Sequence, residues 1–254
     1  YSDYQIMCKE QNPNIIIVST PDHTHVKILN TIIKFKPLAV ICEKPLSTEV
    51  GEIKKIIKKY NSLSINLHVN FSYRYNKLFQ DLKKDIDKNR YGKALSFRVT
   101  YSRGFFHNAC HFIDLANWYF GKYKQVSLDS YEKSKSYDGD FNASIKIKYG
   151  DNIEAMILGV DIPKIAVCGM EMIFSNAIIR ITYDDVFELY KLRKNIYQPN
   201  ENEYYIQARK KIDYGNLIQN ILNNVFESIY KKSKIISSSE DALNVAKIYE
   251  KLTI

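Results

Sequence analysis

No stretch of this chain approaches the ~20 consecutive apolar residues that a membrane helix requires, which excludes a helical membrane anchor within it. No signal-peptide pattern stands at its start. Cysteine is scarce and scattered: Cys8, Cys42, Cys110 and Cys168 form no CxxC pair. Two of them sit in apolar runs, as buried reduced thiols of a cytoplasmic protein do. There is no HExxH, no GxGxxG, no internal repeat and no low-complexity tract.

What remains is an ordinary globular composition, 45% hydrophobic and 26% charged over 254 residues. That length buries a sizeable core and fits one large or two small domains. The net charge of +9 reflects 37 basic against 28 acidic residues, mostly dispersed lysines on a solvated surface. Lys54-Lys55 and Lys58-Lys59 share a predicted helix whose other face, Ile53, Ile56 and Ile57, is core. No clustered stripe with readout residues exists, so no nucleic-acid partner is expected. The charge gives at most a modest electrostatic benefit to anionic ligands.

The first 70 residues alternate helix and strand. A helix near Asp3 to Glu10 precedes a strand at 15–18, and a helix near His25 to Phe35 precedes a strand at 39–42. A helix from Thr48 to Tyr60, capped around Ser47-Thr48-Glu49 and Glu52, leads to a strand at 64–70. Such alternation predicts a parallel sheet with crossover helices, a partial Rossmann-type domain over 1–70. From 71 to 254 the pattern predicts a mainly antiparallel open-sheet α+β domain with helices on one face. Its helices are expected at Leu78–Lys88, His111–Phe120, Asn216–Lys232 and Glu240–Leu252, the second stopping at Gly121. Its strands are expected at 94–100, 125–132, 141–149, 152–160, 165–174, 177–183 and 186–190, with turns at Tyr149-Gly150-Asp151-Asn152 and Ser175-Asn176. The polar, tyrosine-rich segment 195–212 receives no assignment.

The most informative residues are Ala39-Val-Ile-Cys-Glu-Lys-Pro-Leu-Ser47. A buried strand ends there in Glu43, Lys44 and Pro45, and open α/β sheets place ligands at strand carboxyl ends. Lys44 is thus placed to meet a substrate, or in the blander reading merely caps a strand. The strand 15–18 runs likewise into Ser19, Thr20, Pro21 and, further on, His23 and His25. His111 opens an apolar-periodic helix; such a histidine is either a satisfied core group or, given its near-neutral pKa, a proton carrier. His107 and His111 stand at i, i+4, a spacing that also suits zinc, with His23 and His25 as further ligands; without HExxH or an evident third ligand nearby, no metal is expected. His68 reads as structural. Tyr73 and Arg74 lie where the sheet passes into the second domain, and Tyr101 and Arg103 follow a strand; all four are candidate substrate contacts.

"STPDHTHVKILNTIIKFKPLAVICEKPLST", "HVNFSYRYN", "HNACHFIDLANWYFG" and "SSSEDALNVAKIYEKL" follow one another in an order and near a spacing that resembles the Gfo/Idh/MocA oxidoreductases, glucose-fructose oxidoreductase and inositol dehydrogenase among them. The resemblance implies an NAD- or NADP-dependent enzyme of sugar, sugar-nucleotide or cyclitol hydroxyls, cytoplasmic and homo-oligomeric. It implies that Ser19, Thr20, Pro21, His25, Glu43 and Lys44 line the dinucleotide. It makes His111 the acid–base residue and Lys44 the group that polarises the reacting oxygen, the two sharing one cleft. It counts His107 with them as catalytic, at a position that is commonly Asp, a departure that puts the substrate and the details of proton transfer in question. The resemblance also implies a preceding Gly-rich strand–helix stretch of roughly 50–60 residues, at ~30 residues per βαβ unit, so the chain reads as a fragment. Two other readings remain open: a non-catalytic sugar- or nucleotide-binding relative and a zinc-dependent hydrolase.

Overall fold

The computed structural model describes residues 1–150 and 153–252. Asp151 and Asn152, in the expected turn, lie outside them. The chain divides into two compact units, the first made of Tyr1–Asn76 with Gly215–Lys251 and the second built on Lys77–Tyr214.

In the first unit, helix α1 (Tyr4–Gln11) begins at Asp3, whose carboxylate accepts from the amides of Gln5 and Ile6. Strands β1 (Ile15–Val18), β2 (Ala39–Cys42) and β3 (Asn66–Val69) form a parallel sheet in the order β1-β2-β3. Helices α2 (His25–Ile32) and α3 (Val50–Ser62) make the crossovers. All four residues of β2 are buried, as its unbroken apolar run predicts for a central parallel strand. The cap before α3 is close to the expected one. Ser47 Oγ accepts from the Glu49 amide at 3.0 Å and donates to Glu52 at 2.7 Å.

The two closing helices, α6 (Leu217–Tyr230) and α7 (Ser239–Tyr249), belong to this first unit and not to the second, which alters the expected boundary at residue 70. The cause is apolar burial. Ile221 and Val225 of α6 pack with Ala39 and Ile41 of the sheet and with Tyr75. A bridge between His68 and Ser238 and a bond from Ser237 Oγ to the Val69 carbonyl at 2.6 Å hold the start of α7 to β3.

The second unit contains helices α4 (Lys77–Asp87) and α5 (Cys110–Phe120) and an eight-stranded sheet. Its strands are β4 (Ala94–Tyr101), β5 (Tyr123–Lys133), β6 (Phe141–Tyr149), β7 (Ile153–Gly159), β8 (Cys168–Phe174), β9 (Ala177–Ile181), β10 (Val186–Lys194) and β11 (Asn202–Lys211). They run in the order β11-β10-β9-β8-β4-β7-β6-β5, antiparallel throughout except for β4 beside β7. β10 is longer than expected and β8 begins three residues later. The unassigned segment 195–212 supplies β11, an edge strand paired along β10.

Candidate functional site

The candidate residues fall into two groups, one in each unit. In the first, β1 and β2 end side by side, Val18 opposite Cys42, and the Glu43 amide continues the ladder to the Val18 carbonyl at 2.9 Å. The chain leaves β1 through exposed Ser19, Thr20 and Pro21 and leaves β2 through half-buried Glu43 and Lys44, with a cis Lys44–Pro45 peptide. Glu43 is held in place by Asn70 at the end of β3, whose Nδ2 donates to its carboxylate at 2.6 Å. Asn70 carried no signal in the sequence beyond following a strand. The three strand ends thus present a polar row at the carboxyl end of the parallel sheet, the arrangement that accepts a nucleotide in open α/β folds.

His25 is buried, 1% exposed. Its Nδ1 lies 2.9 Å from the Pro45 carbonyl and its Nε2 2.8 Å from the Thr20 carbonyl. Carbonyls only accept, so each contact is a hydrogen bond when the ring nitrogen that faces it carries a proton. The imidazole therefore ties the loop after β1 to the loop after β2. Its local contribution is to their geometry, and both its nitrogens are already committed to the main chain.

Arg74, expected to touch substrate, is buried inside the first unit. Its guanidinium lies 3.0 Å from Asp241 and donates to the Ile236 carbonyl at 3.1 Å. Asp241 also closes a capping box with Ser238 at the start of α7. Arg74 thereby anchors that helix, and burial of an arginine is sustained by such pairing. Tyr73, one residue earlier, is half-buried. His68 is fully buried; its Nε2 meets Ser228 Oγ at 3.1 Å, and burial lowers its pKa to about 4.

The second group centres on the turn from β4 into α5. Tyr101 is a further correction: it is completely buried, and its hydroxyl is bonded to the main chain of Ala143. Burial pushes that phenol's pKa far up, so it acts here as a structural tie. Arg103, half-buried with φ of 65°, directs its guanidinium to the Pro163 carbonyl at 3.2 and 3.3 Å. Gly104 follows with φ of 93° and stands so close to Asp140 that a Cβ there would lie 2.1 Å from its carboxylate.

That close approach lets Asp140 cap the π-helical turn Phe105–Ala109. Asp140 Oδ1 accepts from the amides of Phe105, Phe106 and Phe141 at 3.0, 3.2 and 2.7 Å. Oδ2 accepts from the His107 amide at 3.2 Å and meets His107 Nδ1 at 2.8 Å. The His107 ring stacks on Tyr137 with centroids 3.9 Å apart and planes inclined by 7°. His111 is half-buried in the first turn of α5, whose Ile113 and Leu115 are core. Asp140 was missed in the sequence because Asp138-Gly139-Asp140 reads as an ordinary turn. Among the described residues, no group of three His, Cys, Asp or Glu side chains could hold a metal ion, and no helix is long and apolar enough to cross a membrane.

Residues 1–71 match an oxidoreductase family with an NAD-binding Rossmann fold. A myo-inositol 2-dehydrogenase of Thermotoga maritima is 26% identical over 100 residues, 39% of this chain and 30% of that protein. A levoglucosan dehydrogenase of Pseudarthrobacter phenanthrenivorans is 30% identical over 100 residues, 39% of this chain and 25% of that protein. The match thus spans less than a third of either relative. A levoglucosan dehydrogenase solved with NADH and levoglucosan superposes with a TM-score of 0.81 over 99% of this chain and 80% of that one. Its sequence identity is 19%, so this last likeness is one of fold.

Proposed function

The chain belongs to the Gfo/Idh/MocA oxidoreductase family, a membership carried by residues 1–71, and on that premise we propose that it serves a dehydrogenase of sugars or cyclitols. The reaction moves a hydride between NAD or NADP and a secondary hydroxyl, or the matching carbonyl, of a sugar, sugar nucleotide or cyclitol. The observation that carries this reading is the row of polar strand ends in the first unit, with Lys44 following the fully buried β2.

The nicotinamide cofactor, when bound, supplies the hydride acceptor or donor. Ser19, Thr20 and Pro21 are exposed beyond β1 and are suited to border it, together with Glu43 and Lys44. The Lys44 ammonium donates a hydrogen bond to the reacting oxygen and favours the charge that develops there. Glu43, fixed by Asn70, supplies a counter-charge beside it. His111 takes the hydroxyl proton as the carbon–hydrogen bond gives up its electron pair, and returns it in the reverse direction. Tyr73 and Arg103 remain candidates for substrate contact. A cytoplasmic homo-oligomer completes the proposal.

The test is a substrate panel. The intact gene product is incubated with NAD or NADP and with myo-inositol, levoglucosan, common hexoses and sugar nucleotides. Formation of reduced nicotinamide with one class is the expected result. Tight dinucleotide and sugar binding with no turnover in either direction would instead identify a non-catalytic relative.

A further inference from the structure

We propose that the eight-stranded sheet carries a second binding site, a hollow across β4, β8 and β9 that takes a small aromatic carboxylate. The hollow offers about 290 Å³, and none of its lining residues belongs to either group of the candidate site. Its walls follow from strand register. Arg98 of β4 stands opposite Glu171 of β8, Glu171 stands opposite Arg180 of β9, and Thr100 stands opposite Gly169 two residues along. The alternate residues Val99, Met170 and Ile181 are buried on the core face, so these side chains rise together on the open one.

Three features shape the hollow. A Cβ on Gly169 would lie 2.5 Å from Tyr183 Cε1, so the missing side chain is what lets that ring lie against β8. Tyr183 is 64% exposed, which leaves ring surface for a ligand. Arg180 is a fixed wall: its Nε and Nη2 donate to Glu171 Oε2 at 3.1 and 2.8 Å, and its guanidinium lies 5.4 Å from the centre of the Tyr190 ring. Arg98 is exposed, and its guanidinium forms no ion pair or hydrogen bond among the described residues. These features select the ligand. Two guanidinium groups against one carboxylate leave the lining with one positive charge, which suits a monoanion better than a phosphate dianion. Arg98 presents a planar fork of donors that matches a carboxylate through two parallel bonds. The Tyr183 ring stacks on a second aromatic ring. A carboxylate borne on an aromatic ring meets both groups, and the volume lies at the lower end of small-molecule pockets.

Titration calorimetry of the full chain with benzoate is expected to show binding with a Kd below about 1 mM, within reach of a ligand of this size. Acetate, which lacks the ring, and benzyl alcohol, which lacks the charge, should each bind at least about tenfold more weakly. Arg98→Gln should weaken benzoate by about tenfold or more, the scale of a hydrogen bond to a charged group. Gly169→Ala, which displaces the Tyr183 ring, should weaken it by about three- to tenfold. If Gly169→Ala fails to fold, Tyr183→Ala removes the same ring and decides in its place. Arg98 and Tyr183 are exposed, so Arg98→Gln and Tyr183→Ala should keep the melting temperature of the unaltered protein. Absence of benzoate binding overturns the proposal, as does acetate or benzyl alcohol binding as tightly as benzoate. Each substitution must weaken benzoate, and indifference to either one also overturns it. Sedimentation supplies the last check: an oligomer that Arg98→Glu dissociates would mean that a second copy covers the hollow, and the proposal would fall.

Discussion

The Tyr101 hydroxyl is bonded twice to Ala143, donating to its carbonyl at 2.9 Å and accepting from its amide at 2.8 Å. Strand β7 lies between them, and Gly159 is the residue of β7 paired with Tyr101. A Cβ on Gly159 would lie 2.8 Å from the Ala143 carbonyl oxygen and 3.0 Å from the Tyr101 hydroxyl. The tyrosine thus reaches over a glycine to bond the buried main chain of Ala143.

Removing that hydroxyl should therefore act on stability. Tyr101→Phe leaves a buried amide and a buried carbonyl without their partner and should cost about 3 kcal/mol, read as a lower urea midpoint with an unchanged slope. Gly159→Ala should also destabilise, by crowding the same bonds. A Tyr101→Phe protein of normal stability with a raised KM would return Tyr101 to the substrate contacts.

His68 makes stability depend on pH. Its ring is buried and neutral, with its pKa lowered from 6.5 to about 4, so the unfolded chain binds a proton more readily than the folded one. The contribution is complete above pH 6.5 and is lost as pH falls from there towards 4, by up to about 3 kcal/mol at 1.36 kcal/mol per unit. Denaturation midpoints measured across that window should fall in the unaltered protein and fall less in His68→Gln. Parallel pH dependence in the two would contradict the account.

For His25, the structure and the resemblance predict different phenotypes. As the tie between the Thr20 and Pro45 carbonyls, it should cost about 1–3 kcal/mol of stability when replaced by alanine, with turnover falling because the Lys44 loop loosens. A His25→Ala protein with an unchanged melting temperature and weakened dinucleotide binding alone would identify a direct cofactor contact.

Much of this was legible in the sequence because it is local. The unbroken apolar run Ala39–Cys42 announces a central parallel strand, and the structure has it as β2 with all four residues buried. Strand β11 was not legible: Asn202–Lys211 is mostly exposed, and what holds it is pairing to β10, aided by cross-strand pairs such as Arg193–Glu203 and Arg209–Glu188. Neither was the place of α6 and α7, whose apolar faces fit any sheet until the fold chooses one. Tyr101, Arg74 and Asp140 find their partners across long stretches of chain, at Ala143, Asp241 and His107, and no spacing rule connects such residues.

The central claim is that Lys44 and His111 act in proton and hydride transfer on a polyol. Its most direct test is steady-state turnover of Lys44→Ala and His111→Ala in the intact gene product, each beside its melting temperature. His111→Ala should lower kcat by about 10²–10⁴-fold while dinucleotide affinity and melting temperature hold, and Lys44→Ala should lower kcat with some rise in KM. A His111→Ala protein that stays folded and keeps near-normal kcat would contradict the account.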